Sequence, residues 1–278
     1  MYRQLAPGKV LVDYGPVSMV IEAGGSGGPM TAAALKGAET AVRQLEALSG
    51  VLDRARVLAR DALTDGADPA VLNRMIEVTR ATGEPDITPM AAVAGAFAEQ
   101  ALEGAAGEGA TRIIVNNGGD IAIRLGKGES IRVGIVTDLA SGKVTHFIDL
   151  KGEYGLGGIA TSGFGGRSFT KGIASAVVVL AGTAAQADAC ATMVANAVYA
   201  GHPGIKLRKA EELDPLTDIR GQVVVEKVGR LDGPTVRKAI ASGQERFFRY
   251  REKGLLFGAV IAVRDQVWMF PGGIAKEL

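Results

Sequence analysis

The sequence predicts an α+β fold of antiparallel sheets with packed long helices. Two patterns carry that expectation. Short β-branched runs such as Ile131 to Val136 are joined by glycine-bearing turns, as in antiparallel hairpins. Elsewhere apolar residues recur at helical spacing with charges between them, as in Leu35, Ala38, Val42 and Leu45 beside Glu39, Arg43 and Glu46. A third observation removes the main alternative. Gly155, Gly157 and Ala160 fit G-x-G-x-x-A, but no helix of useful length is expected after them and Walker spacing is absent, so neither a Rossmann sheet nor a P-loop is indicated.

Taken in order, Val10 to Asp13 and Val17 to Glu22 read as a hairpin around Tyr14-Gly15-Pro16. From Pro29 a long amphipathic helix is expected, its apolar stripe continuing through Leu52 with Arg54 on the polar side. That stripe reads as core, with the seam of a homo-oligomer as the alternative. Asp68-Pro69 and Thr88-Pro89 are two helix starts, the acid as cap in the first and proline at the first helical position in both. The second opens MAAVAGAFAEQAL, whose small side chains let another backbone come close. Arg112 to Val115, Ile121 to Arg124, Ile131 to Val136 and Val144 to Leu150 read as a meander. A strand at Ser175 to Leu180, a helix from Ala184 to Tyr199, strands at Gln222 to Val228 and Leu255 to Val263, and a basic helix from Thr235 complete the chain. Without a linker or repeat, residues 1–278 are expected to form a single domain of two interleaved halves.

Composition narrows the partners. Thirty-one Lys and Arg nearly cancel thirty Asp and Glu, so no long-range field favours nucleic acid or an anionic membrane surface. The lone cysteine, Cys190, cannot form an internal disulfide, and the start of the chain has no uninterrupted apolar segment. A cytoplasmic protein is the expectation. Thirty-nine glycines imply many places where the backbone turns left-handed or approaches something closely.

Three segments offer chemistry. Val115 to Asp120, VNNGGD, offers amides, bare N–H groups and an acid suited to a polar ring or ribose; it is also a strong hairpin signal. Gly155 to Ser168, GLGGIATSGFGGRS, sets glycine N–H groups beside the hydroxyls of Thr161, Ser162 and Ser168 and the fork of Arg167, a combination that suits phosphate or carboxylate; a flexible surface loop is the other reading. On the helix QADACATMVANAV, Asp188, Thr192 and Asn196 lie four apart on one face. Such hard oxygens suit Mg²⁺, or serve as caps and interhelical hydrogen bonds.

In this order the three segments resemble the ApbE-like superfamily, typified by FAD:protein FMN transferase. The resemblance rests on Asn116 to Asp120 for the family's Asn-x-Gly-Gly-Asp turn, Ala160 to Gly163 for Ala-Thr-Ser-Gly, and Ala187 to Thr192 for the late Ala-Asp-Ala-x-x-Thr helix. It implies an ApbE-like, T-fold-related architecture. It implies a flavin-binding cleft built from Asn116, Asn117, Gly118, Gly119, Asp120, Ala160, Thr161, Ser162, Gly163, Arg167 and Ser168. It also implies Mg²⁺ held by Asp188 and Thr192, with a main-chain carbonyl near Ala91. The match departs from the family after Gly163: the transferases carry Ser-His-Ile-x-Asp-Pro there, whereas this chain runs GGRSFTKGIASAVVV, the pattern of a cytoplasmic branch lacking the His-x-x-Asp-Pro segment.

The expected activity is binding of a flavin, nucleotide or other anionic ring-containing metabolite, with FAD or FMN as the ligand and Mg²⁺ beside it, and chemistry other than standard FMN transfer. Any acid or base work falls to Asp120, Asp188 or His146, and His146, alternating with apolar residues in a strand, reads as structural. The alternatives are a non-catalytic flavin or nucleotide carrier that partners a redox enzyme, and FAD:protein FMN transfer itself.

Overall fold

The computed structural model describes residues 1–278 as a mixture of helices and antiparallel strands. The first half runs β1 (Tyr2–Ala6), β2 (Lys9–Tyr14), β3 (Val17–Gly25), β4 (Gly28–Pro29), α1 (Thr31–Ser49), α2 (Leu52–Ala55), α3 (Ala70–Thr82), α4 (Val93–Gly107), β5 (Arg112–Asn117) and β6 (Asp120–Arg124). There follow β7 (Ser130–Val136), β8 (Val144–Lys151), β9 (Gly158–Ser162), β10 (Ala176–Ala181) and α5 (Ala184–Ala197). The chain closes with β11 (Ile205–Lys209), α6 (Ala210–Leu213), β12 (Val223–Val228), α7 (Gly233–Glu252), β13 (Gly258–Val263), β14 (Gln266–Phe270) and β15 (Lys276–Glu277). These elements fall into two compact units: residues 1–131, 150–160 and 181–189 form one, and residues 132–149, 161–180 and 190–278 the other. No helix is long and apolar enough to cross a membrane.

In the first unit, β1, β2, β3, β5, β6 and β9 follow one another across an antiparallel sheet. Its inward-facing residues, among them Val10, Val12, Met19, Ile21, Ile113 and Val115, alternate along the strands and bury against α1 and α4, on which α3 packs in turn. The small residues of α4 are there for close approach: a Cβ on Gly37 of α1 would lie 2.7 Å from the Ala101 carbonyl oxygen, and one on Gly104 would lie 2.8 Å from Thr40 Cβ. Two backbones therefore meet where larger side chains would hold them apart.

Local rules were overridden in three places. The helix from Thr31 stops at Ser49, and Gly50 takes its cap, so Leu52 and Arg54 sit on the separate turn α2. Arg54 pairs with Asp68, whose carboxylate therefore does not cap α3; Pro69 is the residue before that helix. The meander is broken: β5 and β6 form a hairpin, but β6 continues to β9, while β7 and β8 join β15 in a separate three-stranded sheet. Edge pairing is a long-range choice that a strand's own composition does not encode.

The second unit contains that small sheet, the ribbon of β11 and β12, and the run β10, β13 and β14. Helix α7 starts at an Asp232 cap whose Oδ1 accepts from the Thr235 N–H at 2.7 Å, then buries Val236, Ile240 and Phe247. Phe247 meets Trp268 and Phe270 of β14 with ring centroids 5.3 and 5.4 Å apart. His146 is buried in β8, its Nδ1 2.9 Å from Thr145 Oγ1.

Candidate functional site

The VNNGGD segment folds as a two-residue hairpin turn. Asn117 pairs with Asp120 across it, and Gly118 and Gly119 take φ of +71° and +109°, which L side chains rarely adopt. Asn116 is exposed and stabilises the turn through its Oδ1, which accepts from the Gly119 N–H at 3.0 Å. Asn117 does different work. Only 7% exposed, it points inward and donates from Nδ2 to the Ala94 carbonyl at 3.0 Å. The hairpin tip is thereby tied to the first turn of α4.

That turn also receives Asp188. A helix start leaves its first N–H groups without intrahelical acceptors. Here the Asp188 carboxylate fills the role from another helix: Oδ2 accepts from the Gly95 N–H at 2.9 Å, and the Ala94 N–H contributes a second bond. Gly95 is required by this approach, since a Cβ there would lie 2.8 Å from Asp188 Cβ and overlap the Ala184 carbonyl. Part of the residue's surface remains accessible, but protein atoms crowd the carboxyl group, and this burial pushes its pKa up to about 7 against the lowering effect of the two N–H groups.

Two hydrogen bonds leave about half of a carboxylate's acceptor sites free. The hydroxyl of Thr192 lies one turn further along α5, and the half-buried Ala91 lies in the short 3-10 turn of residues 89–92 that leads into α4. No group of three His, Cys, Asp or Glu side chains is arranged to hold a metal ion. A cation here would therefore rest on at most two carboxylates plus neutral oxygens, a donor set that fits Mg²⁺ and does not fit zinc.

The glycine-rich segment divides. Gly158 to Ser162, including Ala160, Thr161 and Ser162, is the strand β9, so only residues 155–157 and 163–168 remain of the loop expected over the whole stretch. Nor are the early glycines bare donors: Gly157 N–H binds the Ala181 carbonyl at 3.2 Å, and any Cβ on Gly157 or Gly158 would collide with the backbone of residues 182–184. In the second unit Gly163, with φ +147°, begins a turn in which Phe164 N–H binds the Ala174 carbonyl at 2.7 Å. Arg167 and Ser168 follow, both exposed. Asn196 leaves the set of candidate oxygen ligands, because its Oδ1 accepts from Thr170 Oγ1 at 3.1 Å and from the Lys171 N–H at 2.9 Å.

Sequence reasoning missed Ala94, Gly95 and Thr183. A signal for Thr183 existed: Thr183 to Gln186 is a Ser/Thr-x-x-Glu/Gln capping box, and the Thr183 hydroxyl accepts from the Gln186 N–H at 3.3 Å. Gly95 was one small residue among many in its helix.

Comparison with known proteins follows the same lines. The chain is similar to a UPF0280 protein of Methanococcoides burtonii, 33% identical over 158 residues that make up 57% of this chain and 64% of that protein. It thus spans under two thirds of that relative's length. Its fold is similar to that of the ApbE protein from Thermotoga maritima, with a TM-score of 0.51, 16% identity and 96% of each chain covered. The flavin transferase ApbE from Vibrio cholerae gives a TM-score of 0.51 at 10% identity over 94% of this chain and 96% of that one. At these identities the likeness is one of fold. The family described as AbpE bacteria matches residues 3–269, nearly the whole length, and the chain belongs to that ApbE-like family.

Proposed function

We propose that the chain binds a flavin, nucleotide or other anionic ring-containing metabolite at the first turn of α4, where Asp188 would hold Mg²⁺ to offset the ligand's phosphate charge. The observation that carries this reading is the convergence of Asn117 and Asp188 on residues 94–95. Two side chains from distant parts of the sequence are fixed against one helix start, and one of them is a carboxylate whose charge is poorly solvated. Mg²⁺ supplies positive charge beside phosphate oxygens when bound. The protein's own groups orient it: Gly95 and Ala94 N–H groups fix the carboxylate, while Asn117 fixes the backbone that donates them. Asp120, Thr192 and the Ala91 carbonyl complete the proposed site. In the second unit, Thr161, Ser162, Gly163, Arg167 and Ser168 are proposed as groups suited to an anion. Calorimetric titration with FAD, FMN and ADP, with and without Mg²⁺, tests the proposal. Affinity should rise with Mg²⁺ and Asp188→Ala should remove the dependence; equal affinities in the wild type under both conditions would count against it.

The Vibrio cholerae structure that shares the fold is described as a flavin transferase, yet standard FMN transfer is not the activity proposed. That reaction needs a base for the acceptor hydroxyl, and the stretch after Gly163 offers Arg167 and Lys171 but neither His nor Asp-Pro. The same observation favours a second reading, a non-catalytic carrier serving a redox enzyme. Incubation with FAD, Mg²⁺ and a transferase acceptor peptide should give no mass gain of one FMN; clear modification would restore the transferase reading.

A further inference from the structure

The start of α5, which carries Asp188, is held by more than its own cap. Thr183 accepts from the Gln186 N–H through its hydroxyl and from the Ala187 N–H through its carbonyl at 3.0 Å. Between them, the Ala185 N–H donates to Oε2 of Glu99 on α4 at 3.2 Å. Arg74 of α3 joins the two: one terminal nitrogen donates to Thr183 Oγ1 at 2.8 Å, and its Nε lies 2.8 Å from Glu99 Oε1. The pair is largely enclosed, with side-chain exposure of 27% for Arg74 and 13% for Glu99.

The spacing gives this network its direction. Glu99 lies four residues after Gly95, on the same face of α4, and Asp188 lies three residues after Ala185 on α5. The two helices are thus pinned twice in succession, once by Glu99 on the Ala185 N–H and once by Asp188 on the Gly95 N–H. The Thr183 hydroxyl satisfies only one N–H of the helix start, and Glu99 takes a second from another helix. The largely enclosed carboxylate and guanidinium add a fixed register between α4 and α5.

We infer that Arg74 and Glu99 are positioning residues for Asp188, setting the register that aims its carboxylate at the first turn of α4. The inference rests on the proposed cation role of Asp188 for its functional meaning but on the contacts alone for its geometry, and two measurements on the full-length chain separate the two. Hydrogen exchange of the Gly95 amide, metal-free, reads the register. Glu99→Ala should speed that amide by at least about tenfold relative to the core amides of Ala101 and Ala105, with Glu99→Gln, which keeps an acceptor for Ala185, restoring most of the protection and Arg74→Met behaving like Glu99→Ala. A merely structural role would move all α4 amides together, and unchanged or uniform exchange in Glu99→Ala would overturn the inference. Mn²⁺ binding, followed by loss of its free-ion electron paramagnetic resonance signal, reads the cation role. Absence of binding to the wild type refutes that role and leaves the exchange result standing; binding that is weakened about tenfold in folded Glu99→Ala supports both, and binding unchanged in folded Glu99→Ala overturns the inference.

Discussion

Replacing Asp188 by Asn should stabilise the metal-free protein above neutral pH. Burial raises the Asp188 pKa from its ordinary value of 3.8 to about 7. A carboxyl group whose folded pKa lies above its unfolded one binds its proton more tightly when folded, so its contribution to stability is fully present below pH 4, is lost as pH rises towards 7, and is flat beyond. The difference corresponds to about 4 kcal/mol as an upper limit, and residual accessibility lowers it. Asn removes the charge but presents an amide where two N–H groups expect oxygen, forfeiting about 1 kcal/mol. The net expectation is a gain of about 1–3 kcal/mol for Asp188→Asn at pH 8, vanishing or slightly reversed near pH 4.5. Urea unfolding at both pH values in the presence of a chelator measures the difference, and comparing variant with wild type cancels other titrating groups. With Mg²⁺ added at pH 8, only the wild type should gain stability. Parallel pH profiles for the two proteins, or a variant less stable than wild type at pH 8 without metal, would refute the reasoning.

Other perturbations separate packing from binding. Gly95→Ala forces a methyl against Ala184 and Asp188; it should cost about 1–3 kcal/mol and abolish any Mg²⁺-induced thermal shift. Gly104→Ala, which crowds Thr40, should lower the melting temperature through a similar clash while leaving ligand affinity unchanged, and loss of affinity there would mean the helix pair is coupled to the site. Asn117→Ala leaves the Ala94 carbonyl without its side-chain donor and should cost about 1–3 kcal/mol in denaturant titration. Arg167 is exposed, so Arg167→Lys should leave stability within about 0.5 kcal/mol of wild type and weaken binding of an anionic ligand through loss of the planar fork; equal affinity would remove Arg167 from the site.

Much of this protein was determined by sequence that acts locally. The alternation of Val10, Val12, Met19 and Ile21 makes half-buried strands whatever lies opposite. Gly118 and Gly119 make a tight hairpin because left-handed φ is open to them, and small residues in α4 permit close packing before any partner is known. The family likeness was legible because its three segments keep their order along the chain. Only the tertiary structure decided which groups meet. It turned Asn117 inward and left Asn116 in solvent, although the two are adjacent and chemically identical. It committed Asn196 to residues 170–171, made β6 continue to β9 instead of β7, and drew Asp68 to Arg54 and away from its helix start. It paired Arg74 with Glu99 and with Thr183, 109 positions apart in sequence. Periodicity and turn chemistry describe interactions over a few residues, whereas a carboxylate seated on the N–H of a helix 93 positions away is fixed by how the chain closes its long loops.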